Sequence, residues 1–234
     1  VAFPHVIAGA LLTGATFVCG VALWWMVRAT RAGDLESAQV YRTGVIVGIV
    51  ALVVSGIGVA LTGDFQAKIM FQQQPQKMAA AEGLCHTQES VPFSILTIGD
   101  LSDPNNCDNV HHILEIPGGT SFLASGSFTH ELLGTQDLQA QYEATFPEYA
   151  AQGVNFIPNL AITYWTFRLM IGPAVLSGLL AVAALWFTRK KRVSDNIWLG
   201  RLGILAIPMP FLANSFGWIF TEMGRQPWVV HPSP

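Results

Sequence analysis

The sequence predicts an all-α integral membrane protein with four transmembrane helices and one long extracytoplasmic loop between the second and the third. Of its 234 residues, 51% are hydrophobic and only 12% are charged, and the mean hydropathy is +0.43. A soluble domain carries roughly 25% charged residues. Four apolar stretches reach the length of roughly 20 residues that crossing a bilayer requires. They cover 6–27, 43–61, 164–187 and 197–220.

Basic residues in the short connections predict how the four spans are oriented. Short loops that are rich in Lys and Arg stay in the cytoplasm, and two connections have this composition. The basic residues are Arg28, Arg31 and Arg42 in the first connection and Arg189, Lys190, Lys191, Arg192 and Arg201 around the last. We therefore expect two helices in 1–62, an outer segment at 63–163 and two further helices in 164–234.

The segment 63–163 differs from the rest of the chain in charge. It holds eleven acidic residues against two lysines, a net charge of −9, whereas the whole chain carries −3. A structureless loop of this length is uncommon, so the segment is expected to fold. Cys85 and Cys107 both lie in it, and on the outer side we expect them to form a disulfide that closes about 20 residues. The alternative is two free thiols. Cys19, inside a span, is expected to pack.

The start of the chain predicts that it is part of a longer protein. It begins Val-Ala-Phe-Pro-His, and apolar sequence follows almost at once. A signal peptide would have a basic region before the apolar residues and a cleavage site, and neither is visible. We expect earlier helices in the parent protein.

Polar residues from different spans fall at one depth, on the predicted outer side. His5 begins the first span, Arg168 and Met170 lie near the start of the third, and Glu222 and Arg225 end the fourth. An arginine inside a membrane is costly unless it is paired, and one His with one Met can hold the iron of a low-spin haem. The alternatives are an interfacial histidine, a packing methionine and an arginine that binds lipid phosphates.

Four motifs occur along the chain: "FPHVIAGALLTGATFVCGVALW", "GDFQAKIMFQQQPQKMAAAE", "YWTFRLM" and "GWIFTEMGRQPW". In this order and spacing they resemble subunit I of cytochrome bd-type quinol oxidases, and the Gly-Arg-Gln-Pro-Trp run of the last motif is specific to that family. The resemblance covers essentially the whole chain. It corresponds to the middle and later helices of that subunit.

The resemblance implies a role for each of these residues. His5 and Met170 would be the axial ligands of a low-spin haem b, and Arg168 would neutralise a propionate of that haem or raise its potential. Glu222 would lie at a high-spin haem b, as its ligand or close to it. The other positions that match the family are Trp218 between the haems, Arg225 at the propionates, and Lys77 and Glu82 at the quinol site.

The activity that the resemblance implies is that of a terminal oxidase in a bacterial cytoplasmic membrane. Quinol would be oxidised at the outer face, and electrons would pass through the haems b to haem d, where dioxygen becomes water and turnover builds a membrane potential. The sequence does not choose between ubiquinol and menaquinol, nor between haem d and a variant with haem b. A second subunit forming a heterodimer, small accessory subunits and the lipid bilayer are the expected partners, and no nucleic acid is.

The stretch "PQKMAAAE" is expected to be helical because of its alanines. Lys77 and Glu82 are five residues apart, so both side chains would then flank one pocket. A carboxylate such as Glu82 suits a group that accepts a proton or hydrogen bond from quinol. Without the resemblance, a surface lysine and glutamate on a solvated helix would be the simpler interpretation.

Parts of the sequence do not follow the family pattern. The stretch "GLCHTQESVPF" after Glu82 matches no functional feature, and the loop resembles the short-loop type of the family with an added disulfide. The His111–His112 pair lacks the i, i+4 spacing of a helical metal site. No role is assigned to His86, His111, His112, His130 or His231.

Two other classes of membrane protein compete with the oxidase interpretation. A polytopic transporter with an acidic outer loop would show internal symmetry between its halves. Pro208 and Pro210 break the fourth span and Pro173 lies in the third, but no duplication is visible. A dihaem cytochrome b of the bc type would need pairs of histidines on facing helices. Apart from the terminal His231, only His5 lies in or beside a predicted span, so this class is rejected.

Overall fold

The computed structural model describes residues 2–101 and 110–226, and most of them are helical. Among the described residues, four helical stretches are long and apolar enough to cross a membrane, and the fourth, Ile197–Met223, consists of two consecutive helices. The helices are α1 (Ala2–Arg31), α2 (Leu35–Gln73), α3 (Pro75–Glu82), α4 (Gly119–Ser125), α5 (Thr135–Thr145), α6 (Pro147–Ala150), α7 (Leu160–Thr188), α8 (Ile197–Ala206) and α9 (Pro208–Met223). A short antiparallel hairpin joins β1 (Phe93–Ile98) to β2 (His111–Ile116). The predicted fold class is confirmed, and the hairpin is an addition that the sequence did not predict.

The helix α2 is much longer than the predicted second span, which ends at residue 61. It continues into the first part of the acidic segment and ends at Gln73. Helical geometry is disfavoured for the residue before a proline, and Gln74 has a non-helical backbone with φ −141° and ψ 64°. Proline is well tolerated at the first position of a helix, so α3 begins at Pro75. The first turns of the predicted loop therefore extend a span, and α3 confirms the helix predicted for "PQKMAAAE".

Prolines divide the predicted fourth span but not the third. The break between α8 and α9 lies at Ile207, directly before Pro208. A proline inside a helix removes one backbone hydrogen bond and clashes with the preceding turn. Pro173 nevertheless lies inside an uninterrupted α7. The predicted interruption of the fourth span is confirmed.

The chain divides into two compact units, of which the first comprises 1–63 and 169–215. Its core is formed by side chains of α1, α2, α7 and α8, including Leu23, Ile49, Leu180 and Leu199. Small residues let α1 and α8 approach closely. A Cβ atom built on Gly203 would lie 2.9 Å from the carbonyl oxygen of Gly20. Close contact through glycines is a common way for membrane helices to associate.

The two basic connections lie at the same end of this first unit. The Arg42 guanidinium donates hydrogen bonds to the carbonyl oxygen of Thr188 at 2.8 and 3.1 Å and to that of Arg192 at 3.1 Å. Arg31 donates to the carbonyl oxygen of Asp195 at 3.3 Å. Cations near carbonyl groups at the end of a helix are stabilising. The structure thus places both basic connections together, as the orientation argument requires.

The second unit comprises 64–168 and 216–234, of which the structure describes residues up to 226 outside the gap at 102–109. Its core contains Met78, Leu138, Tyr142 and Phe156. A smaller cluster contains Ala80 of α3 together with Leu160 and Tyr164 at the start of α7. The acidic segment is therefore folded, as predicted.

The hairpin has one irregular residue. Leu114, in the middle of β2, has a left-handed backbone with φ 55°. Successive side chains of a regular strand point to opposite faces, so residues three positions apart would face opposite ways. Leu114 interrupts this alternation between His112 and Glu115. Both of those side chains line the same cavity.

Candidate functional site

A buried ion pair joins the last residue of α3 to α7. Glu82 Oε2 accepts a hydrogen bond of 2.6 Å from the Arg168 guanidinium, and the two residues are only 3% and 8% exposed. The α3 helix ends at Gly83, which has a left-handed backbone with φ 63°. A glycine at this position is a common helix terminator. Because the helix stops there, Glu82 is the last helical residue.

The second carboxylate oxygen of Glu82 is buried without a donor. No described residue donates a hydrogen bond to Oε1. The neighbouring Thr120 hydroxyl donates its hydrogen to the carbonyl oxygen of Pro92 at 2.9 Å. Burial raises the pKa of Glu82 to about 7, and Arg168 opposes this rise. A pKa of about 7 suits a group that exchanges protons near neutral pH, and Oε1 accepts no hydrogen bond from the described residues.

Glu82 lines two cavities. The first has a volume of about 250 Å³ and has mainly apolar walls, with Gln72, Thr120 and Glu82 as its polar residues. Its apolar walls include Phe71, Met78, Leu132 and Leu133. The second has a volume of about 350 Å³ and is more polar. Its polar walls include His86, Gln88, Ser94, His112 and Glu115.

Lys77 lines neither of these two cavities, and its predicted place at the quinol site stays a prediction. Its ammonium group donates to the carbonyl oxygen of Thr221 at 3.1 Å and lies 4.9 Å from the centre of the Phe220 ring. The side chain is 6% exposed. Burial lowers the pKa of Lys77 to about 8, while Glu222 raises it. Lys77 thus packs on the last turn of α9, away from Glu82 on the opposite side of α3.

The end of α9 leaves room for this lysine at Gly224. A Cβ atom built there would lie 2.8 Å from Lys77 Cε and 2.9 Å from the carbonyl oxygen of Phe220. Gly224 is the glycine of the Gly-Arg-Gln-Pro-Trp run. A side chain at this position would displace Lys77, so the motif and the lysine fit one another.

The other residues predicted near the end of α9 comprise a half-buried ion pair and an exposed tryptophan. Arg225 donates two hydrogen bonds to Glu222 Oε2, one of them at 3.1 Å from Nε. Trp218 is 70% exposed. Trp228, which the sequence analysis assigned to the membrane interface, lies outside the described residues. The predicted roles of Glu222, Trp218 and Arg225 at a haem stay predictions.

The hydrogen bonds around His5 favour one tautomer of its imidazole. The Thr62 hydroxyl donates to the carbonyl oxygen of Gly58 at 2.6 Å and therefore accepts from His5 Nδ1, 2.9 Å away. The proton is then on Nδ1, and Nε2 keeps its lone pair. Metal-bound histidines commonly donate their other N–H in this way. His5 and the half-buried Met170 belong to the first unit, and a nitrogen and a thioether sulfur fit a low-spin haem. The pairing of the two residues at one iron stays a prediction.

Arg168 commits its guanidinium to protein oxygens. Besides Glu82, it donates to the carbonyl oxygens of Ser94 at 2.8 Å and Tyr164 at 3.3 Å, and to that of Ala81. The expectation for Arg168 was a haem propionate, and that role is not tested by these contacts. What the structure adds is its ion pair with Glu82.

The cysteines agree in part with the predicted disulfide. Cys85 is disulfide-bonded, and Cys19 is free and fully buried. Cys107, the expected partner of Cys85, lies outside the described residues. The pairing Cys85–Cys107 therefore stays a prediction.

A hydroxyl network beside the ion pair was missed by the sequence analysis. The Ser94 hydroxyl lies 2.8 Å from the Tyr164 hydroxyl and 3.0 Å from that of Thr97. Thr97 also contacts His112 Nδ1 at 2.8 Å. No local pattern in the sequence indicates this network, because Ser94 and Tyr164 are 70 residues apart. Of the other unassigned histidines, His130 packs edge-on against Phe71, and His231 lies outside the described residues.

The membrane-spanning helices and the folded second unit with its buried carboxylate define a multi-pass membrane protein with a candidate proton-exchanging site. The chain belongs to the cytochrome bd terminal oxidase subunit I family, which matches residues 1–233.

Three similar proteins each match nearly the whole of this chain and slightly less than half of their own length. The chain is 39% identical to cytochrome bd ubiquinol oxidase subunit 1 of Bacillus subtilis (strain 168), over 98% of this chain and 46% of that protein. It is 33% identical to the putative cytochrome bd menaquinol oxidase subunit I of the same organism, over 97% and 47%. The bd oxidase structure from Geobacillus thermodenitrificans matches with a TM-score of 0.72 and 26% identity, over 96% of this chain and 46% of that one. The chain thus spans about half the length of the curated relatives it matches.

Proposed function

We propose that the chain is part of the haem-bearing subunit of a terminal quinol oxidase, and that quinol is oxidised in the first cavity with Glu82 as proton acceptor. The names of the relatives, ubiquinol oxidase and menaquinol oxidase subunits, support the substrate class. The observation that carries the proposal is the unoccupied Oε1 of a buried carboxylate on the wall of an apolar cavity.

The first cavity has the chemistry that a quinol requires. Ligand sites are usually mostly apolar, with a few polar groups that fix orientation, and a quinol has an apolar ring with two hydroxyl groups. Its oxidation to quinone releases two protons and two electrons. Arg168 holds Glu82 through Oε2, which leaves Oε1 to accept a hydrogen bond and then a proton from a ring hydroxyl. A base with a pKa near the working pH is well matched to this task.

Residues of the first unit are proposed to hold the electron acceptor. His5 would bind a low-spin haem b through Nε2 and Met170 through its sulfur, and the bound haem would supply one-electron redox chemistry. Thr62 keeps the proton on His5 Nδ1. Glu222, Trp218 and Arg225 are proposed to lie at a high-spin haem b, with haem d completing the set.

The wider assignments are proposed on the same basis. The second unit would face the outer side of a bacterial cytoplasmic membrane. A second oxidase subunit would complete a heterodimer, to which small accessory subunits would bind. Dioxygen would be reduced to water. The proton released from quinol outside would then contribute to the proton motive force.

The test is Glu82→Gln in the full-length oxidase purified with its partners. Because general-base catalysis contributes roughly 100-fold or more, we expect quinol oxidation to fall by about two orders of magnitude. Oxygen uptake with an artificial electron donor that bypasses quinol should continue. Wild-type quinol oxidation should rise as the pH passes about 7, since Glu82 accepts a proton only when ionised. The variant should lose this rise.

The matched control is Glu89→Gln, which neutralises an exposed glutamate of the same segment. It should leave both activities unchanged. Equal loss of quinol-driven and donor-driven oxygen uptake in Glu82→Gln would show that Glu82 is structural. Undiminished quinol oxidation would overturn the proposed role of the first cavity.

A further inference from the structure

The two cavities differ in chemistry and share a wall. Glu82 and Leu84 line both of them. The first is mainly apolar, whereas the second is lined by His86, His112 and Glu115, groups that bind and release protons. A carboxylate between an apolar chamber and a polar one is placed to take a proton from the first and give it to the second.

The wall of the second cavity is built by the stretch that matched no functional feature of the family. The residues from Gly83 to Pro92 supply seven of its lining positions. This stretch is held by Thr87, whose backbone N–H and hydroxyl donate to Asp137 Oδ2 at 2.7 and 2.6 Å. Its Gln88 pairs with Leu132 in an antiparallel bridge. These hydrogen bonds hold the wall of the second cavity in a fixed conformation.

His112 on the opposite wall has a defined tautomer. The Thr97 hydroxyl donates to the Tyr164 hydroxyl and therefore accepts from His112 Nδ1. His112 Nε2 then keeps the lone pair that can accept a proton. Left-handed Leu114 allows Glu115 to line the same cavity, so a carboxylate lies beside the imidazole.

We propose that the second cavity is the route by which protons leave Glu82 for the outer aqueous phase, with His112 as the next proton acceptor and Glu115 beside it. This inference rests on the proposed function of the first cavity. A quinol hydroxyl gives its proton to Glu82 Oε1. Water in the second cavity carries that proton to His112 Nε2, and His112, which is exposed, releases it to solvent.

The charges around His112 suit brief protonation. Burial lowers its pKa, as do Arg168 and His111, while Glu115 raises it. The imidazole is therefore neutral at pH 7, the form that accepts a proton, and it returns the proton readily. Cavities with polar walls of this size hold ordered water, which can connect groups that are not in direct contact.

The test is His112→Ala in the full-length oxidase with its partners, assayed with a short-chain quinol. We expect kcat to fall roughly 100-fold, since loss of one positioned proton-transfer group costs about this much or more, with KM and the haem spectrum unchanged. The solvent deuterium isotope effect should increase, and added imidazole should restore part of the rate. Where the alanine variant does not assemble, His112→Gln is used, since it can still hydrogen-bond to Thr97 but takes up no proton.

The matched control is His111→Ala, because His111 is the adjacent exposed histidine of β2 and does not line the cavity. Because His111 is the weakest of the influences on the pKa of His112, this variant should keep kcat and the isotope effect close to their wild-type values. A His112 variant with normal kcat and isotope effect overturns the proton route, and a changed KM with unchanged kcat does so too, since it would indicate substrate contact. If Glu82→Gln is impaired in that experiment, the proposed function still stands. If Glu82→Gln is also normal, both fall.

Discussion

Arg168 directs its guanidinium nitrogens at oxygen atoms of its own unit. Its four partners are Glu82 and the backbone carbonyls of Ala81, Ser94 and Tyr164. Breaking a buried ion pair by removing one partner is strongly destabilising, because it leaves an uncompensated charge. Arg168 therefore fixes the carboxylate of Glu82, the end of α3 and the start of β1 relative to one another.

At the same scale, the hydrogen bond from His5 to Thr62 predicts an effect on the haem that His5 is proposed to bind. Thr62→Val removes the acceptor of His5 Nδ1–H with little change in volume. The imidazole then becomes a weaker electron donor, so the midpoint potential of the low-spin haem should rise. A redox titration followed by the haem absorbance of the full-length protein measures this.

Two further variants serve as a negative control and as a test of the methionine ligand. Thr16→Val removes a hydroxyl that bonds only to its own helix, at Leu12, and should leave the potential unchanged. Met170→Leu nearly conserves volume yet should abolish the low-spin signal. An unchanged spectrum in Met170→Leu would contradict the ligand assignment, whereas an unchanged potential in Thr62→Val alone would contradict only the role of Thr62.

The residue types of the candidate site could be found from the sequence, but their partners could not. Glu82 and Arg168 were both singled out, yet each was assigned a ligand and not the other. They are 86 residues apart, and no local pattern reports on a contact of that separation. The hydrogen-bond partner of Lys77 could not be predicted either, because Thr221 lies 144 positions further along the chain. Lys77 and Glu82 are five residues apart on one helix, so their side chains point in different directions.

At the scale of elements, apolar periodicity found all four spans but not where they end. The second span was expected to stop where charge appears, at residue 61. Helix formation stops only where the backbone cannot continue, at Pro75, so α2 reaches Gln73. The hairpin could not be predicted because β1 and β2 have only six residues each and lie within an acidic segment without a clear alternation of apolar residues.

The contact of α1 with α8 predicts an asymmetry between two glycines of α8. Gly203→Ala would place a methyl group 2.9 Å from the carbonyl oxygen of Gly20, so the helices must separate. Overpacking of this kind costs about 1–3 kcal/mol. Thermal unfolding of the full-length protein in detergent should show a lower Tm.

The control is one turn away on the same helix. A Cβ atom on Gly200 would meet its nearest neighbour, the Trp24 ring, at an ordinary 3.4 Å. Gly200→Ala should therefore keep or raise the Tm. Equal destabilisation by both substitutions would indicate that glycine flexibility, and not the close approach, matters.

At the scale of the whole molecule, the basic connections and the acidic segment belong to different units. The basic connections lie together, while the acidic segment belongs to the other unit. Short basic loops remain in the cytoplasm, so the folded second unit is proposed to be outside. Family membership makes the chain multi-pass in a membrane, and the side that each unit faces is open to direct measurement.

Cysteine labelling tests this orientation in intact cells. A cysteine at the exposed Ser127 of the second unit should react with a membrane-impermeant maleimide. A cysteine at the exposed Ala32, between α1 and α2, should react only after the membrane is permeabilised. The opposite pattern would reverse the proposed topology and place quinol oxidation on the inner side.

The single open oxygen of Glu82 has a consequence for the stoichiometry of turnover. One quinol yields two protons, and one carboxylate stores one proton at a time. If both leave through Glu82, the first must clear the site before the second is accepted. The slower of the two proton-release steps then limits the rate at which electrons from quinol reach the haems. Proton release through the second cavity would therefore limit the rate of respiration.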